Sequence, residues 1–454
     1  MGVPDSVFSV MEKERLTTLE IFHNNKEDKL LLRGMKEWDD YVRWDRYMVD
    51  FTPEDILTSD YRAVGTATLL STFGELGLKD YLEQIKKLLT EGGHHGIEFY
   101  YNGKKNIRVM YCKHVNTLGI RNRRQAIRSG GIRRHELDEP ELNVLVDGLN
   151  LARAMAYKNA IANIPYGGCK TIVQCDPVKL DDFETMGFLS YIIYRIRTFT
   201  GPDMGFKPEM ADIIREKFTK AITGGVNSPL GPTGGPTAYG EHLAIKEACN
   251  FIYGSRDILD KKIAIQGLGE VGYPLAEHLL GDGAKLTVTD IDPAKVQRLQ
   301  QKWGKDLVEY VEPDKIYTVD ADVFSPCAMG GIITEDRIPQ FKFNIIIGTA
   351  NNQLKATSKE GELELAKKLA DAGILFVIDW AHNTAGVIAA WAEWLLQDKA
   401  TFDKIKPRIE LVCRDNFRKL LEEAQETGKT PTELVYEKVE ETVYSGAEFS
   451  ELTW

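Results

Sequence analysis

The stretch KIAIQGLGEVG at 262–272 restricts what this chain can fold into more than any other. Residues 262–266 have the β-branched, apolar character of a buried strand, and Gly267, Gly269 and Gly272 fall where that strand hands over to a helix. In that setting Gly267 permits the tight turn, Gly269 lets the backbone approach a pyrophosphate, and Gly272 allows close helix-to-strand packing. Glu270 and Val271 lie on the same turn, where the helix amino terminus presents free N–H groups to phosphates. Eighteen residues past Gly272 the next strand, LTVTD, ends at Asp290. A carboxylate there accepts ribose hydroxyls and repels a 2′-phosphate, and Asp292 adds to the repulsion, so NAD is expected rather than NADP. The plainer alternative is an aspartate that only opens the following turn.

Strand and helix patterns alternate around this motif: a helix over 238–251 and strands at 262–266, 286–290, 321–324, 343–347 and 375–379. This order predicts a doubly wound Rossmann domain over 226–386. A chain of 454 residues exceeds one ordinary core, so a second α/β domain is expected over 1–225, completed by helices from 387–454. The densest Gly/Pro stretch, GGVNSPLGPTGGP at 224–236, is expected to interrupt regular structure and to carry the interdomain crossing.

The net charge of -11 has the wrong sign for nucleic acid or anionic lipid. The apolar runs are strand-sized, far short of the roughly 20 residues of a membrane helix. MGVPDS formally fits an acylation pattern at Gly2 but lacks a polybasic neighbour. The six cysteines show no metal-ligand spacing, and no apolar secretory core opens the chain. No metal and a reducing, cytoplasmic setting are therefore expected, with small molecules as ligands.

Two lysines twelve positions apart stand out upstream, in MAYKNAIANIPYGGCKT. Apolar residues at three- and four-residue spacing predict a helix over 142–158 with Lys158 near its end, and Lys170 follows the Gly167–Gly168 turn. Burial and a neighbouring cation lower a lysine pKa, which is what a general base near neutrality requires.

MAYKNA, GGCKT, TGPDMG, PTAYG, GLGEVG, VTDID, GTANNQL and AGVI together resemble, in this order, the leucine dehydrogenase branch of the glutamate/leucine/phenylalanine/valine dehydrogenase family. The resemblance runs from about 94 to 395, with a short match at 16–22. It implies reversible, NAD-dependent oxidative deamination of an L-amino acid to its 2-oxo acid and ammonia by a homo-oligomer. By the same resemblance Lys158 anchors the substrate carboxylate, Lys170 activates water or amine, and Asp203 is the second acid–base group. Thr237, Ala350 and Asn351 would hold the nicotinamide amide or the substrate, and Ile291 would stand beside Asp290 at the adenosine. Gly130 and Gly131 would line the substrate pocket, and His382, Val387 and Ala390 its side-chain end.

The sequence departs from that pattern in insertions at about 23–93 and 120–128. The first holds an amphipathic stretch around Tyr81, Leu82, Ile85, Leu88 and Leu89, expected to pack on the catalytic domain or mediate assembly. Arg121, Arg123, Arg124, Arg128, Arg133 and Arg134 surround the Gly-Gly pair. They read as a solvated loop or subunit contact, or as receptors for a carboxylate or phosphate at the pocket mouth. Ser129 stands where the leucine branch has an apolar residue and glutamate dehydrogenases have a lysine that grips the side-chain carboxylate, so plain glutamate is not expected as substrate. Trp380, His382 and Ala390 stand where the leucine branch is aliphatic, suggesting a wider, more polar pocket for a bulky, aromatic or polar substrate. A specialised imine or oxo-acid reductase and a catalytically silent NAD-binding subunit are the alternatives. A hydroxy-acid dehydrogenase would want a His-centred acid–base pair, which the few histidines do not form.

Overall fold

The computed structural model describes residues 6–24, 27–115, 127–178, 181–356 and 358–444. The acylation pattern at Gly2 and Arg121, Arg123 and Arg124 of the second insertion lie outside them.

The first domain is built on a mixed sheet of β1 (Thr18–Asn24), β2 (Lys29–Lys36), β3 (Arg62–Gly65), β4 (Gly96–Asn102), β5 (Ile107–Lys113), β6 (Arg128–Ser129), β7 (Ile132–His135) and β8 (Gly167–Gln174). The order is β3-β2-β1-β4-β5-β8-β6, and β7 also pairs with β8. β8 runs antiparallel to β5 but parallel to β6 and β7. The expected helix over 142–158 runs from Glu141 to Ile161 and lies across β8 and β5. Small residues set this approach: a Cβ on Gly168 would sit 2.1 Å from the Ala152 carbonyl, and one on Gly148 would sit 2.7 Å from the Cys112 sulfur. That closeness brings Lys158 on the helix and Lys170 on β8 to one place.

The segment 23–93 extends this sheet with β2 and β3 and adds helices Thr66–Glu75 and Lys79–Glu91. The amphipathic spacing noted above becomes packing, as Leu82, Ile85 and Leu89 join Phe8, Leu19, Phe73 and Phe99 in one apolar cluster. Trp38, Trp44 and Tyr47 pack edge-on against Phe188 or Tyr191 of helix Phe183–Ile196.

The second sheet contains β9 (Lys262–Gln266), β10 (Lys285–Thr289), β11 (Val308–Tyr310), β12 (Val323–Pro326), β13 (Ile345–Ile346) and β14 (Leu375–Phe376). Its order β11-β10-β9-β12-β13-β14 is wholly parallel, the doubly wound arrangement whose crevice opens where the strand order reverses, between β9 and β12. β13 and β14 are shorter than the apolar runs 343–347 and 375–379, although Ile347 still donates to the Phe324 carbonyl at 3.0 Å. The 224–236 stretch is not irregular throughout. Gly234, Gly235 and Pro236 form the first turn of helix Gly234–Tyr253, where a proline sacrifices no internal N–H bond.

The C-terminal helices pack on both domains. Phe417, Leu421, Tyr436 and Val439 enter the core of the parallel-sheet domain, while Ala385, Ile388, Ile405 and Ile409 cluster with Ile164, Tyr166 and Phe199 of the first. His114 Nε2 lies 2.8 Å from the Tyr444 hydroxyl, tying the last helix to the first sheet. Among the described residues no helix is long and apolar enough to cross a membrane.

Candidate active site

Between the domains lies a cavity of about 430 Å³, lined by Gly130, Gly131, Lys158, Lys170, Asp203, Thr237, Glu270, Val271, Asn351, Val387 and Ala390 among others. Each polar group arrives on a different element. Lys170 is on β8 and 5% exposed. Asp203 sits in a turn closed by the Phe206 N–H donating to the Asp203 carbonyl at 2.9 Å, with Gly205 at φ +78°. Lys158 ends a helical stripe of Asp147, Leu151, Ala154 and Lys158, the last three of which line the cavity.

The Lys170 ammonium donates directly to Asp203 Oδ2, and the Met204 N–H donates to Oδ1 at 2.7 Å. The Lys158 ammonium donates to Asn351 Oδ1 at 3.1 Å, a contact between the two domains. Close approach requires glycine at Gly130 and leaves little room at Gly131. A Cβ on Gly130 would sit 1.8 Å from the Cys169 carbonyl, and one on Gly131 would sit 3.2–3.4 Å from the Asp203 Cβ, the Gly201 carbonyl and the Lys170 ammonium.

Burial pushes both lysines below the ordinary value, opposed by Asp203 at Lys170 and by Asp379 at Lys158. Burial alone would raise the Asp203 carboxyl, but Lys170 and Arg133 outweigh it and hold that group well below the usual carboxylate range. The cavity therefore pairs a lysine made easier to deprotonate with a carboxylate kept ionised, the combination that moves protons at a substrate amine or water.

A dinucleotide fits the adjoining crevice. Gly267 has φ +96°, and a Cβ on Gly272 would sit 1.9 Å from the Gly267 carbonyl, so both positions require glycine. A Cβ on Gly269 would meet nothing within 4 Å, which leaves that backbone open to a pyrophosphate. Asp290 directly follows β10 and accepts the Leu268 N–H at 2.6 Å through Oδ2. Asp292 opens the next turn, capping helix Pro293–Trp303. Ile291 is 92% exposed beside Asp290, and Ala350 is buried under the rim next to Asn351.

Several residues singled out in the sequence do not reach the cavity. His382 is fully buried, with Nδ1 2.8 Å from Glu241 and Nε2 3.3 Å from the Val377 carbonyl. Asn383, its neighbour, lines the cavity instead. Ser129 is buried and bonded to Asn159, and Trp380 packs edge-on against Tyr157 and Tyr436, so Trp380 does not widen the pocket. The described arginines are internally engaged and do not form an anion receptor at the mouth. Arg128 donates to the Val115 carbonyl, Arg134 to the Cys175 carbonyl and Glu136, and Arg133 to Asp203 and Asp147. The sequence reading also missed Asp147, Phe199 and Asp379. Asp147 was recoverable from its place three turns before Lys158 on one helix face, whereas Phe199 and Asp379 had no local signal.

Residues 232–444 match the model for Glutamate/Leucine/Phenylalanine/Valine dehydrogenase, and residues 119–220 match the Glu/Leu/Phe/Val dehydrogenase dimerisation domain. A leucine dehydrogenase of Thermoactinomyces intermedius is 36% identical over 69% of this chain and 84% of that protein. A phenylalanine dehydrogenase of Lysinibacillus sphaericus is 33% identical over 78% of this chain and 88% of that protein. The crystal structure of L-tryptophan dehydrogenase from Nostoc punctiforme aligns with a TM-score of 0.62 at 29% identity, covering 79% of this chain and 98% of that one. This chain belongs to the glutamate/leucine/phenylalanine/valine dehydrogenase family.

Proposed function

We propose that this protein carries out the NAD-dependent oxidative deamination of an L-amino acid with a bulky apolar side chain, in the reversible reaction giving the 2-oxo acid, ammonium and NADH. Family membership makes the chain an oxidoreductase acting on CH–NH2 donors. The observation that carries the assignment is the direct contact of Lys170 with Asp203, beside Lys158, in a cavity shared by both domains.

Lys158 and Asn351 bind the substrate carboxylate and so turn the α-carbon toward the nicotinamide end of the crevice. Lys170 in its neutral form takes a proton from the substrate ammonium, so that nitrogen lone-pair donation can expel the α-hydrogen with its electron pair. NAD, when bound, supplies the acceptor for that hydride. Lys170 then passes that proton to solvent and, neutral again, takes a proton from the water that adds to the iminium carbon, with Asp203 balancing the charge. Lys170 returns that proton to nitrogen and takes the hydroxyl proton as the carbonyl forms, so the C–N bond breaks, releasing ammonia and leaving the oxo acid. Leu151, Met155, Phe199, Val387 and Ala390 form the apolar part of the lining, which supports a bulky apolar side chain rather than a charged one.

Homo-oligomerisation is supported by the match to the dimerisation domain. A reducing cytoplasm is supported by six free thiols. The test is NADH formation by the purified protein from NAD and a panel of L-amino acids at alkaline pH, beside a Lys170→Ala control. Turnover of one side-chain class, abolished in the control, is the expected result. No turnover with any amino acid, while NAD still binds, would remove the deaminating role.

A further inference from the structure

The groups behind Asp203 are not used by the reaction as assigned. Arg133 meets this carboxylate with two nitrogens, Nε at 3.3 Å from Oδ2 and Nη2 at 3.4 Å from Oδ1. Its third nitrogen, Nη1, donates to both oxygens of Asp147, at 3.2 and 3.1 Å. Asp147 also faces His135 Nε2 at 3.2 Å, and His135 Nδ1 lies 2.8 Å from Glu139. The Arg133 side chain is only 10% exposed, so these are its partners rather than a fleeting surface contact.

The backbone fixes this arrangement. β7 pairs in parallel with β8, setting Arg133 opposite Ile172, two positions beyond Lys170. On its other side β7 holds the turn that carries Asp203, with Ile132 donating to the Gly201 carbonyl at 2.8 Å and Arg134 to the Met204 carbonyl at 3.0 Å. Asp147 comes from the helix Glu141–Ile161, which also carries Lys158. One planar guanidinium thus ties together a turn, a strand and a helix, and its rigid fork meets one carboxylate with two nitrogens while the third holds another, a fixed geometry that a lysine's single nitrogen does not reproduce.

We propose that Arg133 is a positioning residue for the deamination. Anchored from behind by Asp147, it holds the Asp203 carboxylate so that Oδ2 meets Lys170. The proposal rests on the assignment of Lys170 and Asp203 given above. The groups that face Lys170 are Asp203 on its turn, Arg133 on β7, and Asp147 and Lys158 on the helix. Burial depresses Lys170 most, Asp203 opposes that, and Arg133 depresses it further. Removing the guanidinium therefore loosens Asp203 and also moves the titration of Lys170 upward.

The experiment uses the full-length enzyme and its best amino-acid substrate, comparing wild type with Arg133→Met, Arg133→Lys, Asp147→Asn and Lys170→Ala. kcat, KM, the pH profile of kcat, the dissociation constant for NAD and the melting curve are measured for each. Arg133→Met is expected to lose about 10²-fold in kcat, the scale of a misplaced catalytic group. The ascending limb of its profile, where Lys170 loses its proton, moves to higher pH while KM and NAD binding stay near wild type. Arg133→Lys restores the pH profile but only part of kcat, and Asp147→Asn shows a smaller loss of the same kind. Wild-type kcat and pH profile in a folded Arg133→Met would overturn the proposal. So would a loss with an unshifted profile and no recovery in Arg133→Lys. If Arg133→Met does not fold, Arg133→Lys and Asp147→Asn decide alone, and wild-type kcat in both overturns the proposal. Equal activity of wild type and Lys170→Ala would overturn the assignment of Lys170 and this proposal together, a result read without any Arg133 variant.

Discussion

The buried pair of His382 and Glu241 offers a sharp test of whether this histidine belongs to the substrate site or to the framework. Both side chains are 0% exposed, their contact is 2.8 Å, and Glu241 Oε1 has no hydrogen-bond partner among the described residues. In His382→Leu the Glu241 carboxylate stays buried without its cation. Breaking a buried pair from one side costs about 3–5 kcal/mol. At roughly 2–4 °C per kcal/mol for a domain of this size, the transition falls by about 6–20 °C. The double variant Glu241→Leu/His382→Leu replaces the pair by apolar groups and is expected to recover most of that loss. The pH dependence has a definite sign. Burial pushes the imidazole down, but Glu241 and Asp379 outweigh it and raise its value above 6.5. The stabilisation is therefore whole below the unfolded value and is lost as pH rises through the folded one, so wild type and His382→Leu converge in alkaline buffer. Thermal melts of the three proteins at acidic and alkaline pH are the assay, with KM for the amino acid measured well below the transition. A His382→Leu protein that melts like wild type but shows a raised KM would refute the framework role and return His382 to the substrate pocket.

Lys158→Met is expected to lower kcat/KM by about 10²–10³-fold, through loss of the charge partner for the substrate carboxylate, while NAD binding followed by fluorescence stays unchanged. Gly269→Val places a branched side chain in the open space reserved for the pyrophosphate, so KM for NAD rises about tenfold or more with little change in melting temperature. Because burial depresses Lys170, kcat/KM is expected to climb with pH to a plateau whose midpoint lies below the ordinary lysine value of 10.5, and a flat profile would contradict its role as base.

The second domain was the more legible half in the sequence. A strand, three glycines, a helix and a strand ending in aspartate form a local pattern, because a pyrophosphate is held by backbone within a single turn, and Gly267 to Asp290 occur as that pattern requires. The helix Glu141–Ile161 was legible from its apolar period, and Lys158 and Lys170 from their unusual positions. That residues within 23–93 would extend the first sheet at its edge was not visible in the sequence, since strand partners are long-range choices.

Charge partnership is what only the tertiary structure decided. Six arginines close together in sequence look like one patch, yet Arg128, Arg133 and Arg134 turn to three different sets of acceptors, and Arg133 reaches Asp203 seventy residues away. Likewise His382 finds Glu241 at a separation of 141 residues. Local sequence sets the shape of a turn or a helix through the dihedrals of consecutive residues. The partner of a buried charge is set by which distant elements pack together, since a group removed from water must take the counter-charge the fold brings to it.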